Sequence, residues 1–171
     1  MLKGLHHVGI IVKDLNKSID FYHRVLGLEF ASEPSPWFAG PELESALRIK
    51  GACLRQVCLV LGDTMLELLE YATPEWPIAN PMPQYVTGAS HVSLQVDDLE
   101  AGMKALQAKG IEFFSGPNKV DSGVLAGWRW VYFQDPDGYQ LELVQIAYRN
   151  GDERKQGIEA YKRSRGWIDV G

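Results

Sequence analysis

Residues 7–15 read HVGIIVKDL, and Val8, Ile10 and Val12 recur at every second position. Such alternation predicts a strand with one apolar face, leaving His7, Gly9 and Ile11 on the other. The same pattern returns at residues 91–99 as HVSLQVDDL, with His, Val, Val, Asp and Leu at identical offsets. The chain is an internal repeat. After each strand, Asp14-Leu15 and Asp98-Leu99 signal a helix start, and Gly27 and Gly110 signal its end. SIDFYHRVLGL and EAGMKALQAKGI carry apolar residues at helical spacing between those signals.

The repeat extends further. GLEF at 27–30 lies over GIEF at 110–113. LRQVCLVLGDTMLELLEY at 54–71 lies over WRWVYFQDPDGYQLELVQI at 128–146, matching Arg55 with Arg129, Val57 with Val131, and LEL with LEL. GDT at 62–64 and DPDG at 135–138 are turn signals that predict hairpins. Each half therefore predicts strand, helix and three strands: a first module over 1–71 and a second over 89–148. Residues 72–88 hold four prolines and read as an extended connector. Residues 149–171 form a charged tail with one helix, for which Ile158, Tyr161 and Trp167 are candidate anchors.

Composition narrows the function classes. At 171 residues the chain fits one compact domain, and 46% hydrophobic with 23% charged residues is ordinary for a globular protein. Its 17 basic against 22 acidic residues leave a net charge of −5, so no positive field gathers nucleic acid. Cys53 and Cys58 form no Cys-x-x-Cys pair and read as buried free thiols. No charged-then-apolar leader precedes Leu5, and no apolar run approaches the roughly 20 residues of a membrane span. The expectation is a cytoplasmic protein with no membrane or nucleic-acid partner.

Parity along the strands selects candidate ligands. His7 and His91 lie opposite the apolar faces of their strands, whereas His6 falls on the other side as a structural group or a partner to something nearby. In the closing strands Leu66, Leu68, Leu141 and Leu143 are core positions, which places Glu67 and Glu142 on the opposite face. An unpaired buried carboxylate there would cost several kcal/mol. Two histidines and two glutamates, one of each per half, would be offset by one divalent cation if the halves pack about a pseudo-twofold axis. Two nitrogen and two carboxylate donors suit Zn, Ni, Co, Mn or Fe(II), and octahedral preference leaves two positions open. An isolated strand-end histidine is more often bonded to backbone; equivalence under the repeat favours the ligand role. Glu70, of opposite parity, competes with Glu67, but only Glu67 matches Glu142.

HHVGIIVKDLNKSIDFYHRVLGLEF, LELLEY, SHVSLQVDDL and FQDPDGYQLELVQ, four motifs in order from Leu5 to Tyr148, resemble the vicinal oxygen chelate superfamily. That superfamily includes glyoxalases, methylmalonyl-coenzyme A epimerases, extradiol dioxygenases and bleomycin-resistance proteins. The resemblance implies an α+β glyoxalase-like fold, two βαβββ modules forming a cupped mixed sheet. It also carries the metal ligands onto His7, Glu67, His91 and Glu142, and implies a homodimer acting on a small molecule.

The expected activity is that of a metal-dependent isomerase, epimerase or lyase working on a small carbonyl compound through a stabilised enolate, with Glu67 or Glu142 as base. A lactoylglutathione lyase is one alternative, but glutathione-dependent members carry an arginine where Ile11 stands. HHVGI and LELLEY look more like the epimerases of coenzyme A thioesters and cyclitols. An Fe(II) ring-cleaving dioxygenase uses two histidines and one glutamate, so Glu67 is one ligand too many. A resistance-type binding protein normally lacks the ligand set. Arg55 and Arg129 are candidates for an anionic substrate, with surface ion pairs as the rival use. Trp37 and Trp76 are candidate pocket walls. Phe38, Trp128 and Trp130 serve a pocket, or fill the core and an oligomer interface; DPDG is a structural turn, and His23 reads as a solvated helix residue.

Overall fold

The computed structural model describes residues 2–75, 82–123, 125–147 and 151–166. Contacts divide the chain into two units, Met1–Ala89 with Gln134–Tyr139, and Ser90–Phe133 with Gln140–Gly171. In the first unit β1 (His7–Val12) leads to α1 (Leu15–Ile19), which widens into a π-helical turn at Asp20–Val25. Then come β2 (Phe38–Ala39), α2 (Pro41–Leu47), β3 (Cys53–Leu61) and β4 (Thr64–Thr73). The second unit holds β5 (Val92–Gln95), α3 (Leu99–Gln107), β6 (Asn118–Lys119), β7 (Arg129–Gln134), β8 (Gln140–Gln145) and α4 (Gly151–Ser164).

The sheets repeat one topology, β1-β4-β3-β2 and β5-β8-β7-β6, each open and mixed. β1 runs parallel to β4, and β5 parallel to β8, as a helical crossover requires. The expected α+β fold of two βαβββ modules is what the structure has. α2 is an addition within the first module. It starts with Pro41 in its first turn and ends at Arg48 in the left-handed region, φ 56°. Trp167 lies outside the described residues.

The local signals act as their chemistry dictates. Asp14 Oδ1 accepts the amides of Asn16 and Lys17 at 3.0 and 3.1 Å, and Asp98 Oδ1 accepts that of Ala101 at 2.9 Å. Gly27 and Gly110 take φ of 86° and 89° just past the helices, where a side chain would be strained. Val12, Leu15, Val57, Leu59, Leu66 and Leu68 are buried in the first unit's core; Leu99, Val131, Phe133 and Leu141 make the second unit's core.

The turn between β7 and β8 belongs to the first unit. Asp137 Oδ2 accepts the Lys13 amide at 2.7 Å. Buried Asp135 accepts the Asp137 and Tyr139 amides at 2.9 and 2.7 Å, and the Tyr22 hydroxyl at 3.0 Å. Burial pushes the Asp135 carboxyl up, partly offset by those hydrogen bonds. Burial first, then the Asp135 charge, pushes the Tyr22 phenol far up as well. DPDG is structural, as expected, and supplies a buried acceptor besides its turn.

Candidate metal centre

Strand pairing brings each histidine to its glutamate. In the first unit Gly9 lies beside Glu67 in register, and the His7 Nε2 to Glu67 Oε2 distance is 3.4 Å. In the second, Ser93 lies beside Glu142, and His91 Nε2 to Glu142 Oε2 is again 3.4 Å. The two carboxylates are mostly covered, at 18% and 14% side-chain exposure, while the imidazoles are open at 43% and 37%.

Both gaps are wider than the ~2.8 Å of a good charged hydrogen bond. Two donors 3.4 Å apart could both come within the ~2.1 Å reach of one divalent cation. The donor chemistry and spacing of each pair therefore fit a divalent metal. Among the described residues, no three His, Cys, Asp or Glu side chains cluster closely enough to hold an ion; the candidate donors come together two at a time.

His6 is the partner of His7. Their Nδ1 atoms are 2.8 Å apart and the rings meet edge-on at 5.1 Å. A hydrogen bond at Nδ1 leaves Nε2 as the nitrogen turned toward Glu67, the way an outer partner orients a ligating imidazole. A Cβ at Gly9 would press on Leu69 Cδ1 at 3.3 Å and only touch Glu67 Oε2 at 3.7 Å, so glycine there gives room to Leu69 beside the carboxylate.

Glu70 points the other way. Its Oε2 accepts the Leu15 amide at 2.8 Å and pairs with Arg55, 2.8 Å from Nε and 2.6 Å from the terminal nitrogen. Arg55 also lies 4.9 Å over the Trp37 ring. In the second unit Gln145 accepts the equivalent Leu99 amide at 3.0 Å, and Arg129 pairs with Glu100 instead. That hydrogen-bonded guanidinium holds the Glu100 carboxyl below its usual range. Both arginines thus have carboxylate partners within the fold. Trp37 is 45% exposed, and Trp76 lies outside the described residues.

Two side chains differ from their sequence reading. His23 is not merely solvated: its Nδ1 is 2.7 Å from the Leu28 carbonyl and its ring leans on Phe30 at 4.5 Å. Cys53 and Cys58 are free, as expected, but half-buried. Cys58 sits opposite Glu67, and desolvation, then the Glu67 charge, pushes its thiol up.

Sequence reasoning passed over Tyr132. Its ring meets His91 edge-on at 5.3 Å, and strand parity from buried Val131 and Phe133 would have placed it there. A cavity of about 440 Å³ also opens in the first unit, lined by Ile11, Ile49, Tyr71 and Pro74 among others. Ile11 and Tyr71 lie four residues, about 13 Å, along their strands from His7 and Glu67, so the cavity does not enclose the pair.

A family model for the Glyoxalase/Bleomycin resistance protein/Dioxygenase superfamily matches residues 4–143. A 2-epi-5-epi-valiolone epimerase from an Actinomyces species is 31% identical over 170 residues, 97% of this chain and 92% of that protein. A lactoylglutathione lyase from Haemophilus influenzae is 28% identical, covering 81% and 90%. The crystal structure of a glyoxalase family protein from Bacillus cereus shares the fold at a TM-score of 0.69 and 20% identity, over 85% of this chain and 95% of that one. With a model spanning most of its length and the same repeated modules, the chain belongs to the Glyoxalase/Bleomycin resistance protein/Dioxygenase superfamily.

Proposed function

We propose that this protein is a divalent-metal-dependent epimerase or isomerase of small hydroxycarbonyl compounds, with His7, Glu67, His91 and Glu142 as the donor set. The observation that carries the reading is the recurrence of one imidazole–carboxylate pair, at 3.4 Å in both units, on repeat-equivalent strands. The presence of epimerases among the relatives supports the reaction class. A cation so held would draw electron density from a substrate carbonyl and acidify the adjacent C–H bond.

Glu67 or Glu142, loosened from the cation, would take that proton. The C–H electron pair becomes the new C–C π bond, and the carbonyl π pair moves to oxygen. Return of a proton to the opposite face inverts the carbon and consumes no oxidant. Removal and delivery are two tasks, and the repeat supplies two carboxylates. Both are mostly covered, which limits competition from water at the proton-transfer step. The reading includes a cytoplasmic homodimer, checked by light scattering.

Elemental analysis of the purified protein, with deuterium incorporation into α-hydroxyketones in deuterated water, tests the reading. Glu67→Gln and Glu142→Gln, made singly, are each expected to slow exchange by at least ~100-fold. A protein without stoichiometric metal, or exchange unchanged in both variants, would overturn it.

A further inference from the structure

The two ligand pairs have unlike neighbours. In β7, Val131 and Phe133 are fully buried, and the alternation turns Trp130 and Tyr132 to the opposite face, where both stay half-buried. Tyr132 meets the His91 ring edge-on at 5.3 Å, and Trp130 lies 4.9 Å from Tyr132. Burial, then the Glu142 charge, pushes the Tyr132 phenol up. The repeat-equivalent residues of the first unit are Gln56 and Cys58, with Cys58 opposite Glu67. An aromatic row on β7 therefore adjoins His91 and Glu142, and the equivalent β3 positions beside His7 and Glu67 carry no aromatic side chain. The second unit's core already has Val131, Phe133 and Leu141. Trp130 and Tyr132 retain exposure on the ligand face instead.

We propose that Trp130 and Tyr132, whose ring planes are 55° apart, form an angled platform for a ring-shaped hydroxyketone, whose C–H bonds pack against the two rings while its oxygen-bearing edge meets His91 and Glu142. This rests on the epimerase reading and names its substrate class. C–H bonds on carbons that carry oxygen are polarised toward positive hydrogen and are attracted to the negative face of an aromatic ring. A saturated ring presents several such bonds on one side and loses fewer internal rotations on binding than an open chain. Tyr132 and Trp130 are assigned here to contact substrate, with no proton transfer required of either.

The test uses two probes with the same reacting group, 2-hydroxycyclohexanone and the open-chain 3-hydroxybutan-2-one. With metal-loaded protein, kcat/KM for deuterium incorporation should favour the ring at least tenfold. Trp130→Leu should raise KM for the ring at least tenfold with kcat within threefold, and cut the preference for the ring over the open chain to within about twofold. Tyr132→Phe keeps the ring surface and should keep the preference, which guards against a merely unfolded variant; near-ultraviolet circular dichroism checks both.

In the metal-free protein, saturation-transfer NMR should carry aromatic irradiation to the ring protons of 2-hydroxycyclohexanone in the wild type and not in Trp130→Leu. Equal losses for both probes, no loss for either, or no transfer to the ring would overturn the platform. Absence of exchange on every probe would instead strike the epimerase reading, and the NMR result would still decide the platform.

Discussion

Glu70 offers a way to separate the scaffold from the ligand set. Replacing it by Gln should keep the Leu15 amide satisfied, because Gln145 does that task for Leu99 at 3.0 Å. What is lost is the carboxylate that Arg55 approaches at 2.6 and 2.8 Å, in a pair with 22% and 16% side-chain exposure. An exposed ion pair is worth ~0–1 kcal/mol and breaking a fully buried one costs ~3–5 kcal/mol, so this half-buried case should cost about 2 kcal/mol. For a chain of this size that lowers Tm by about 4–8 °C.

Asn16 stands where the repeat has Glu100. Adding Asn16→Glu to Glu70→Gln copies the second unit's circuit into the first and should recover part of the loss. Urea denaturation of wild type, both singles and the double variant closes the cycle. Metal content should be unchanged throughout, since Glu70 lies on the helix side of the sheet. A double variant no more stable than Glu70→Gln would refute the transferred pairing. Loss of metal in Glu70→Gln would refute the assignment of Glu67 over Glu70.

The remaining expectations concern the ligand orientation, the buried acid and the substrate boundary. His6→Phe should weaken Co²⁺ affinity by ~10-fold or more with circular dichroism unchanged, because His7 loses its outer hydrogen bond; an unaltered titration would remove His6 from that role. Asp135 has a folded pKa above its unfolded value, so its contribution to stability is complete below ~3.8 and is lost as pH rises through the folded pKa. The stability of wild type relative to Asp135→Asn should therefore fall with rising pH over that window and then level off, and a rise would contradict the burial argument. Ile11, 41% exposed on the ligand face, gives glutathione no cation. The hemithioacetal of methylglyoxal and glutathione should yield no thioester absorbance above the uncatalysed rate, and turnover matching a lactoylglutathione lyase would reverse that.

Much of the architecture was legible because the chain states it twice. Period-two runs at His7 and His91, aspartate caps at 14 and 98, and glycine stops at 27 and 110 all reappear as strands, helices and left-handed turns. What escaped depended on geometry that no local pattern encodes. α2 has only seven residues and buries none of them, so no apolar stripe announces it. His23 falls within a π-helical turn, whose wider winding rotates side chains off the α-helical spacing and brings its Nδ1 to the Leu28 carbonyl. Asp135 reads as a turn residue; its bond to Tyr22 spans 113 positions and needed the fold to be seen.

The candidate site divides in the same way, and the division has a physical reason. His7 with Glu67 and His91 with Glu142 were found by parity because they are equivalent under the repeat, as are Leu15 and Leu99 with their side-chain acceptors. On the ligand face the equivalence then fails at Gly9 against Ser93, Gln56 against Trp130, and Cys58 against Tyr132. A duplicated frame offers every group twice, whereas a hydroxyketone whose two sides of the carbonyl differ has no twofold axis. Groups that hold a symmetric ion gain nothing by diverging, but groups that grip an unsymmetrical molecule must differ between halves to fix which carbon faces the base. The broken positions, more than the kept ones, are where substrate preference should respond to mutation.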